Sequence, residues 1–204
     1  MFRVLTIARE YGSGGAAIGR KISQQLGWKL LDKAFIENVA RTENVDPQLA
    51  RQYDERLDSW VERLGHGLWR GGFEGVAVIA QPDVFDGQTM AALAQNMIQK
   101  AYLEGDCVIV GRGAQCILQD RADAFHVFVY APWAQKVARI CDRLPGEKDV
   151  EEVIRSMDRQ RADYIRTYFR CNWKDPHLYH LMICSELGED VVQSQIIEAL
   201  ASGG

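Results

Sequence analysis

The 204-residue chain has no apolar run near the roughly 20 residues that a membrane span requires, so a membrane protein is not expected. Its first ten residues carry only one apolar stretch of strand length, without the longer core and small-residue cleavage site of a secretory signal; export is not expected, and the cytoplasm is. The cysteines, Cys107, Cys116, Cys141, Cys171 and Cys184, are odd in number and widely spaced, with no CxxC pair. That excludes a disulfide scaffold and fits reduced thiols. There is no excess of positive charge: a formal net charge of -4 argues against broad attraction to nucleic acid or anionic lipid. A local arginine cluster that holds a small anion stays open. His66, His126, His177 and His180 lack metal-ligand spacing, and Trp60, Trp69, Trp133 and Trp173 lack the basic interleaving of a nucleic-acid surface. No nucleophile elbow, internal repeat or low-complexity tract is found. With 47% hydrophobic and 25% charged residues, the composition fits one globular domain over residues 1–204.

Hydrophobic periodicity supplies the elements. Residues 3–8 (RVLTIA) form a β-branched strand, and Ile18, Ile22 and Leu26 recur on one face of a helix that Gly27 stops. A short strand over 29–32 follows. Residues 33–64 read as helical with a break at Asp46-Pro47, and 65–87, with six glycines and one proline, as a long mobile segment. Met90, Leu93, Ala94, Met97, Ile98 and Ala101 mark an amphipathic helix ending at Gly105. Strands over 107–110, 125–131 and 181–184 alternate with helices over 133–144, 150–170 and 191–200. Apolar strands alternating with helices predict an α/β fold, a parallel sheet of about five strands covered on both faces, in three layers.

The chemically informative segment is REYGSGGAAIGRK, residues 9–21, placed between the first strand and the first helix. Glycines let a backbone approach an anion and turn its N–H groups toward it, and a helix N-terminus adds partial positive charge. Gly12, Ser13, Gly14, Gly15, Ala16, Ala17, Ile18 and Gly19 are therefore the candidate phosphate cradle. The alternative is a tight strand-to-helix connection with no ligand. A Rossmann site is disfavoured, because no G-x-G-x-x-G with an acidic partner ending the second strand appears in the expected form; Asp32 alone is weak support for it.

These residues, together with IGRKI at 18–22, LLDKAFI at 30–36, VIVGRGA at 108–114, DRQRADYIRTYF at 158–169 and NWKDPHLYHLMICS at 172–185, resemble the cytidylate kinase-like proteins, relatives of bacterial cytidylate kinase among the nucleoside monophosphate kinases. The resemblance spans nearly the whole chain. It implies a P-loop NTPase-type three-layer sandwich with a small helical lid, and Mg²⁺-dependent phosphoryl transfer from ATP to a nucleotide or small phosphate acceptor. It also implies an acceptor-binding region at about 33–104 and a lid at about 139–161. Two departures stand out. Ala16 and Ala17 occupy about the places of the P-loop Lys and Ser or Thr, and Gly113 stands where cytidylate kinases carry the Asp of a Gly-Arg-Asp motif. They motivate a second reading, a noncatalytic nucleotide-binding module.

The remaining candidates are arginines, whose planar, always-charged fork suits phosphate. Arg159 and Arg161 belong to the stretch resembling the Asp-Arg-x-Arg segment that implies contacts with transferring and acceptor phosphates. At 100° per residue Arg155, Arg159, Arg166 and Arg170 share one helix face, a stripe that is tolerable when solvated or paired, as Glu151 with Arg155, and Arg161 points off it. Arg139 and Arg143 precede Pro145-Gly146, where the resemblance places the lid; a solvated helix end is the alternative. Arg112 follows a buried strand at the carboxyl edge, where open α/β sheets bind ligands. Asp32 either orients the acceptor or caps the helix after it.

Overall fold

The computed structural model describes residues 1–32, 35 and 87–203. The helical segment and the glycine-rich stretch expected between 33 and 86, with His66, Trp60 and Trp69, lie outside the described residues. In chain order the elements are β1 (Val4–Arg9), α1 (Gly15–Leu26), β2 (Lys29–Leu31), α2 (Gly87–Glu104), β3 (Cys107–Val110), α3 (Ala114–Ile117), β4 (Ala124–Tyr130), α4 (Trp133–Arg143), α5 (Val150–Phe169), β5 (Leu181–Cys184) and α6 (Glu189–Ser202). Each expected strand in the described part is present. The short α3 was not expected.

All strand pairs are parallel, in the order β2-β3-β1-β4-β5. Because side chains alternate across a strand, the sheet's two faces bury different sets. Leu5, Ile7, Val108, Val110, Val127 and Val129 pack against Ile18 and Ile22 of α1 and Val192, Ile196 and Leu200 of α6. Val4, Cys107 and Ile109 face Leu93, Ala94, Met97 and Ile98 of α2. Further along the same face, Ala8 and Phe128 pack on Ile165 of α5 and on Trp173. The result is a three-layer α/β sandwich, and each fully buried Ile or Val contributes about 1.5–3 kcal/mol. The central strand β1 lies between β3 and β4, so its carboxyl end opens onto the crevice where the strand order switches.

Two strands are also joined by a polar contact inside this core. Thr6 Oγ1 lies 2.7 Å from His126 Nδ1, and His126 Nε2 lies 3.2 Å from the Leu118 carbonyl. A carbonyl only accepts, so Nε2 carries the proton and the Thr6 hydroxyl donates to Nδ1; the ring is neutral. Burial, assisted by His180, pushes the His126 pKa down to about 4. The native ring thus stays neutral where the unfolded chain takes up a proton, so this contribution is complete above the unfolded value of about 6.5 and is lost as pH falls toward 4. Urea unfolding should show wild type losing about 2 kcal/mol more than His126→Gln between pH 7 and pH 5. Equal losses would mean that His126 is not held neutral.

Candidate active site

The site begins where β1 ends. Gly12 and Gly14 both adopt left-handed backbone, at φ 79° each. Gly14 caps α1 with no side-chain hydrogen bond, and Gly15 is the first helical residue. The first turn of a helix leaves its N–H groups without partners. Among the described residues the amides of Gly12, Gly14, Gly15, Ala16 and Ala17 have no acceptor, and they follow one another through the turn into the start of α1. The Ser13 and Ile18 amides are not available: Ser13 N–H donates to the Glu10 carbonyl (3.3 Å), reinforced by its hydroxyl (2.8 Å), and Ile18 N–H donates to the Gly14 carbonyl (3.1 Å). Ser13 and Ile18 are fully buried, and Gly19 is buried too, so these three are packing positions. The helix start also moves the comparison with a P-loop by one residue. The residue after the last left-handed glycine is Gly15, not Ala16.

One flank of the turn is held by a buried ion network. Lys136 Nζ of α4 donates to Asp158 Oδ2 (2.6 Å) and Glu10 Oε2 (3.2 Å), and Lys174 Nζ donates to Glu10 Oε1 (2.7 Å). Asp158 Oδ1 accepts from the Tyr11 N–H at 2.6 Å. Burial alone would raise the Glu10 pKa, but the hydrogen bonds and charges of Lys174 and Lys136 outweigh it and hold the carboxyl below its ordinary value. Arg139 ties the turn to the segment after β5, donating from Nη1 to the Gly12 carbonyl (3.2 Å) and Ser185 Oγ (2.9 Å) and from Nη2 to the Ser185 carbonyl (3.2 Å). Arg139 is therefore beside the cradle, with its guanidinium committed to the scaffold. Arg143 and Arg161 each lie over the Tyr11 ring, both 5.4 Å from its centroid.

The opposite flank is a cavity of about 200 Å³ between the ends of β1 and β3 and the inner face of α5. Arg9, Arg112 and Arg161 line it with Gln115 and Tyr164. Arg161 Nη1 donates to the Arg9 carbonyl at 2.8 Å, so its side chain reaches from α5 to the end of β1. Burial lowers the Arg9 pKa to about 9, with repulsion from Arg161 and Arg112 adding and attraction to Asp32 partly offsetting. Burial likewise lowers Arg161. Arg9 Nε is sealed from solvent with no acceptor. Buried donors without partners are costly, and three cations in one cavity repel, so a bound dianion would relieve both.

Arg112 sits in a run of left-handed residues, Gly111, Arg112 and Gly113, at φ 81°, 55° and 77°. For a non-glycine residue that backbone is strained, as at functional sites. A Cβ at Gly113 would meet the Phe169 ring, 2.7 Å from Cδ2 and closer still to Cε2. The missing Asp is thus matched by Phe169, which takes its space. Gly113→Asp should cost about 3 kcal/mol in a denaturant titration, from φ strain, overpacking and a buried charge. A cost below about 0.5 kcal/mol would mean that Phe169 swings away freely.

Of the other sequence candidates, Asp32 Oδ1 accepts from the Phe35 N–H (2.9 Å), the capping role, while its charge still reaches Arg9. Arg159 is solvent-facing and paired with Glu152 at 2.8 Å, and Arg155 and Arg166 pair with Glu151 and Asp163, both at 2.7 Å. That stripe is the solvated one. Lys21 pairs with Glu189 at 3.0 Å and Asp190 at 3.2 Å, and Arg20 is exposed. Sequence reasoning missed Arg9, Glu10, Lys136 and Asp158.

Among the described residues, divalent-metal ligands do not assemble at the turn. No group of three His, Cys, Asp or Glu side chains suited to a metal occurs among the described residues. Gly15 and Ala16 stand where a lysine and a hydroxyl would follow the turn, Phe169 excludes a carboxylate at 113, and Glu10 and Asp158 are taken by lysines. Among the described residues the donors at the turn fit phosphate oxygens, and the carboxylates Glu10 and Asp158 beside it are paired with lysines.

A family model described as the cytidylate kinase-like family matches residues 4–187. The chain belongs to the cytidylate kinase-like family. The fold agrees with this membership. A solved structure of an uncharacterized protein from Eubacterium ventriosum ATCC 27560 is similar over 99% of both chains, with a TM-score of 0.71 and 21% identity. A gluconokinase from Sinorhizobium meliloti 1021 has a TM-score of 0.53 and 9% identity over 98% of this chain and 91% of its own. A shikimate kinase from Acinetobacter baumannii, solved in complex with shikimate, has a TM-score of 0.52 and 12% identity over 99% of this chain and 94% of its own. At these identities the likeness concerns the fold. No curated protein matches the chain in sequence. Among the described residues, no helix is long and apolar enough to cross a membrane.

Proposed function

We propose that this cytidylate kinase-like chain moves the terminal phosphoryl group of ATP onto a small acceptor that carries its own phosphate, a nucleoside monophosphate or a relative of one, in the cytoplasm. The observation that supports this most is that the turn with the unpartnered amides of Gly12, Gly14, Gly15, Ala16 and Ala17 and the arginine-lined cavity both adjoin the carboxyl end of β1. The amides would hold the donor's phosphates and the cavity the acceptor's. Arg161, which touches both the turn and the cavity, would neutralise charge on the group in transit, and Arg112 would grip the acceptor's phosphate. Catalysis is then positioning and charge neutralisation: the acceptor's oxygen bonds to the terminal phosphorus as the bond to the ADP oxygen breaks.

The reading treats residues 1–204 as one domain. Residues 33–104 would complete the acceptor side, and the arm from Arg139 to Arg161 would act as the lid, with Arg143 and Arg161 shifting from the Tyr11 ring to phosphate on closure. Mg²⁺ is not assigned protein ligands here. Ala16, Ala17 and Gly113 motivate one rival, a module that binds nucleotide without turnover. ADP release across a panel of nucleoside monophosphates separates the two: turnover above hydrolysis with at least one supports the kinase, and tight ATP binding with no turnover on any supports the module.

A further inference from the structure

The P-loop motif reads Gly, four residues, Gly, Lys. Counted from Gly14, the last left-handed glycine before α1, its first glycine falls at Arg9 and its lysine at Gly15. The chain therefore has a cation where the motif has a glycine and a glycine where the motif has its cation. The two departures are sterically coupled. A Cβ at Gly15 would lie 2.7 Å from Arg9 Cβ and 3.2 Å from its Cγ, so the Arg9 stem fills the space a side chain at 15 would need. The guanidinium continues to the end of β3, where its Nη1 rests against Gly111 in the volume a Cβ would take. It thus ends at the cavity that it lines, with Nε lacking an acceptor.

We infer that Arg9 and Gly15 are a swapped P-loop pair: Arg9, entering from the strand, supplies the fixed cation for the transferring phosphoryl group that lysine supplies from the helix elsewhere. The inference rests on the function proposed above and adds the residue that replaces the missing lysine. An arginine there contacts two oxygens at once and stays charged despite its burial.

The test is nucleotide and pyrophosphate binding in EDTA, read by calorimetry and thermal shift, for wild type, Arg9→Met, Arg9→Lys, Arg9→Gly, and Arg9→Gly with Gly15→Lys. Arg9→Met keeps the stem's volume and removes an unpaired buried charge. It should melt no lower than wild type without ligand, yet bind ATP and pyrophosphate at least tenfold more weakly. Arg9→Lys should recover part of that loss. The double variant, which restores the common order of glycine and lysine, should bind more tightly than Arg9→Gly alone, since the Arg9 stem no longer fills the space at 15 and only the 3.2 Å approach of Val129 Cβ remains. Should Arg9→Met melt well below wild type while keeping its affinity, Arg9 is a packing residue and the inference is overturned, with the proposed function intact. A double variant that folds and binds no better than Arg9→Gly overturns it as well. If wild type binds neither ATP nor pyrophosphate, both readings fall together.

Discussion

Asp158→Ala is expected to lose about 3–5 kcal/mol of folding stability, the cost typical of breaking a buried ion pair on one side only. Three consequences combine. Lys136, whose side chain is only 5% exposed, loses its 2.6 Å partner. The Tyr11 amide loses its acceptor, and α5 loses its fastening to the glycine turn. The neighbouring Glu10 remains for Lys136 but already shares its charge with Lys174, so compensation is incomplete. Asp163→Ala on the same helix removes the exposed pair with Arg166 and should cost less than about 1 kcal/mol. Urea denaturation of both variants checks this, and equal costs would mean that the buried network does not hold the turn.

The second large effect concerns rate. Arg161→Ala should lower kcat/KM for phosphoryl transfer by about 10²–10³, as does removal of one preorganised donor to developing charge elsewhere. Arg161 alone among the helix's arginines in the Asp-Arg-x-Arg stretch points inward, donating to the Arg9 carbonyl and lining the cavity. Arg161→Lys should recover little, because an ammonium cannot reproduce the planar two-pronged contact. Arg159→Ala should lose less, since Arg159 is 64% exposed and paired with Glu152. Steady-state assays with the best acceptor from the panel decide it, and an Arg161→Ala enzyme within threefold of wild type would remove Arg161 from the reaction.

The contrast between Arg159 and Arg161 shows what the sequence carries. Helical periodicity placed Arg155, Arg159 and Arg166 on one face and Arg161 off it, and the faces are as read: the stripe is solvated, and Arg161 is buried at the site. The strands and long helices were legible for the same reason, since a run such as CVIV at Cys107–Val110 or the spacing of Ile18 and Ile22 reports burial directly. The four-residue α3 was not, because it follows three left-handed residues and is too short to show a period. The Lys136–Asp158–Glu10 network was illegible because its partners are 22 and 126 residues apart, and no local pattern marks such a pair. Arg9 opens the glycine-rich segment in the sequence, yet nothing there marks its side chain. Only the backbone shows that its stem fills the space beside Gly15. The place of Gly113 was legible, but not that Phe169 occupies the room of the absent carboxylate.

The cradle itself is the most exposed point of the account, and amide ¹⁵N–¹H spectra recorded during an ATP titration address it residue by residue. The Gly12, Gly14, Gly15, Ala16 and Ala17 amides, which have no acceptor among the described residues, should move most and show slowed hydrogen exchange as phosphate oxygens become their acceptors. Saturating ATP that leaves those five signals in place, or shifts only residues remote from the end of β1, would contradict it.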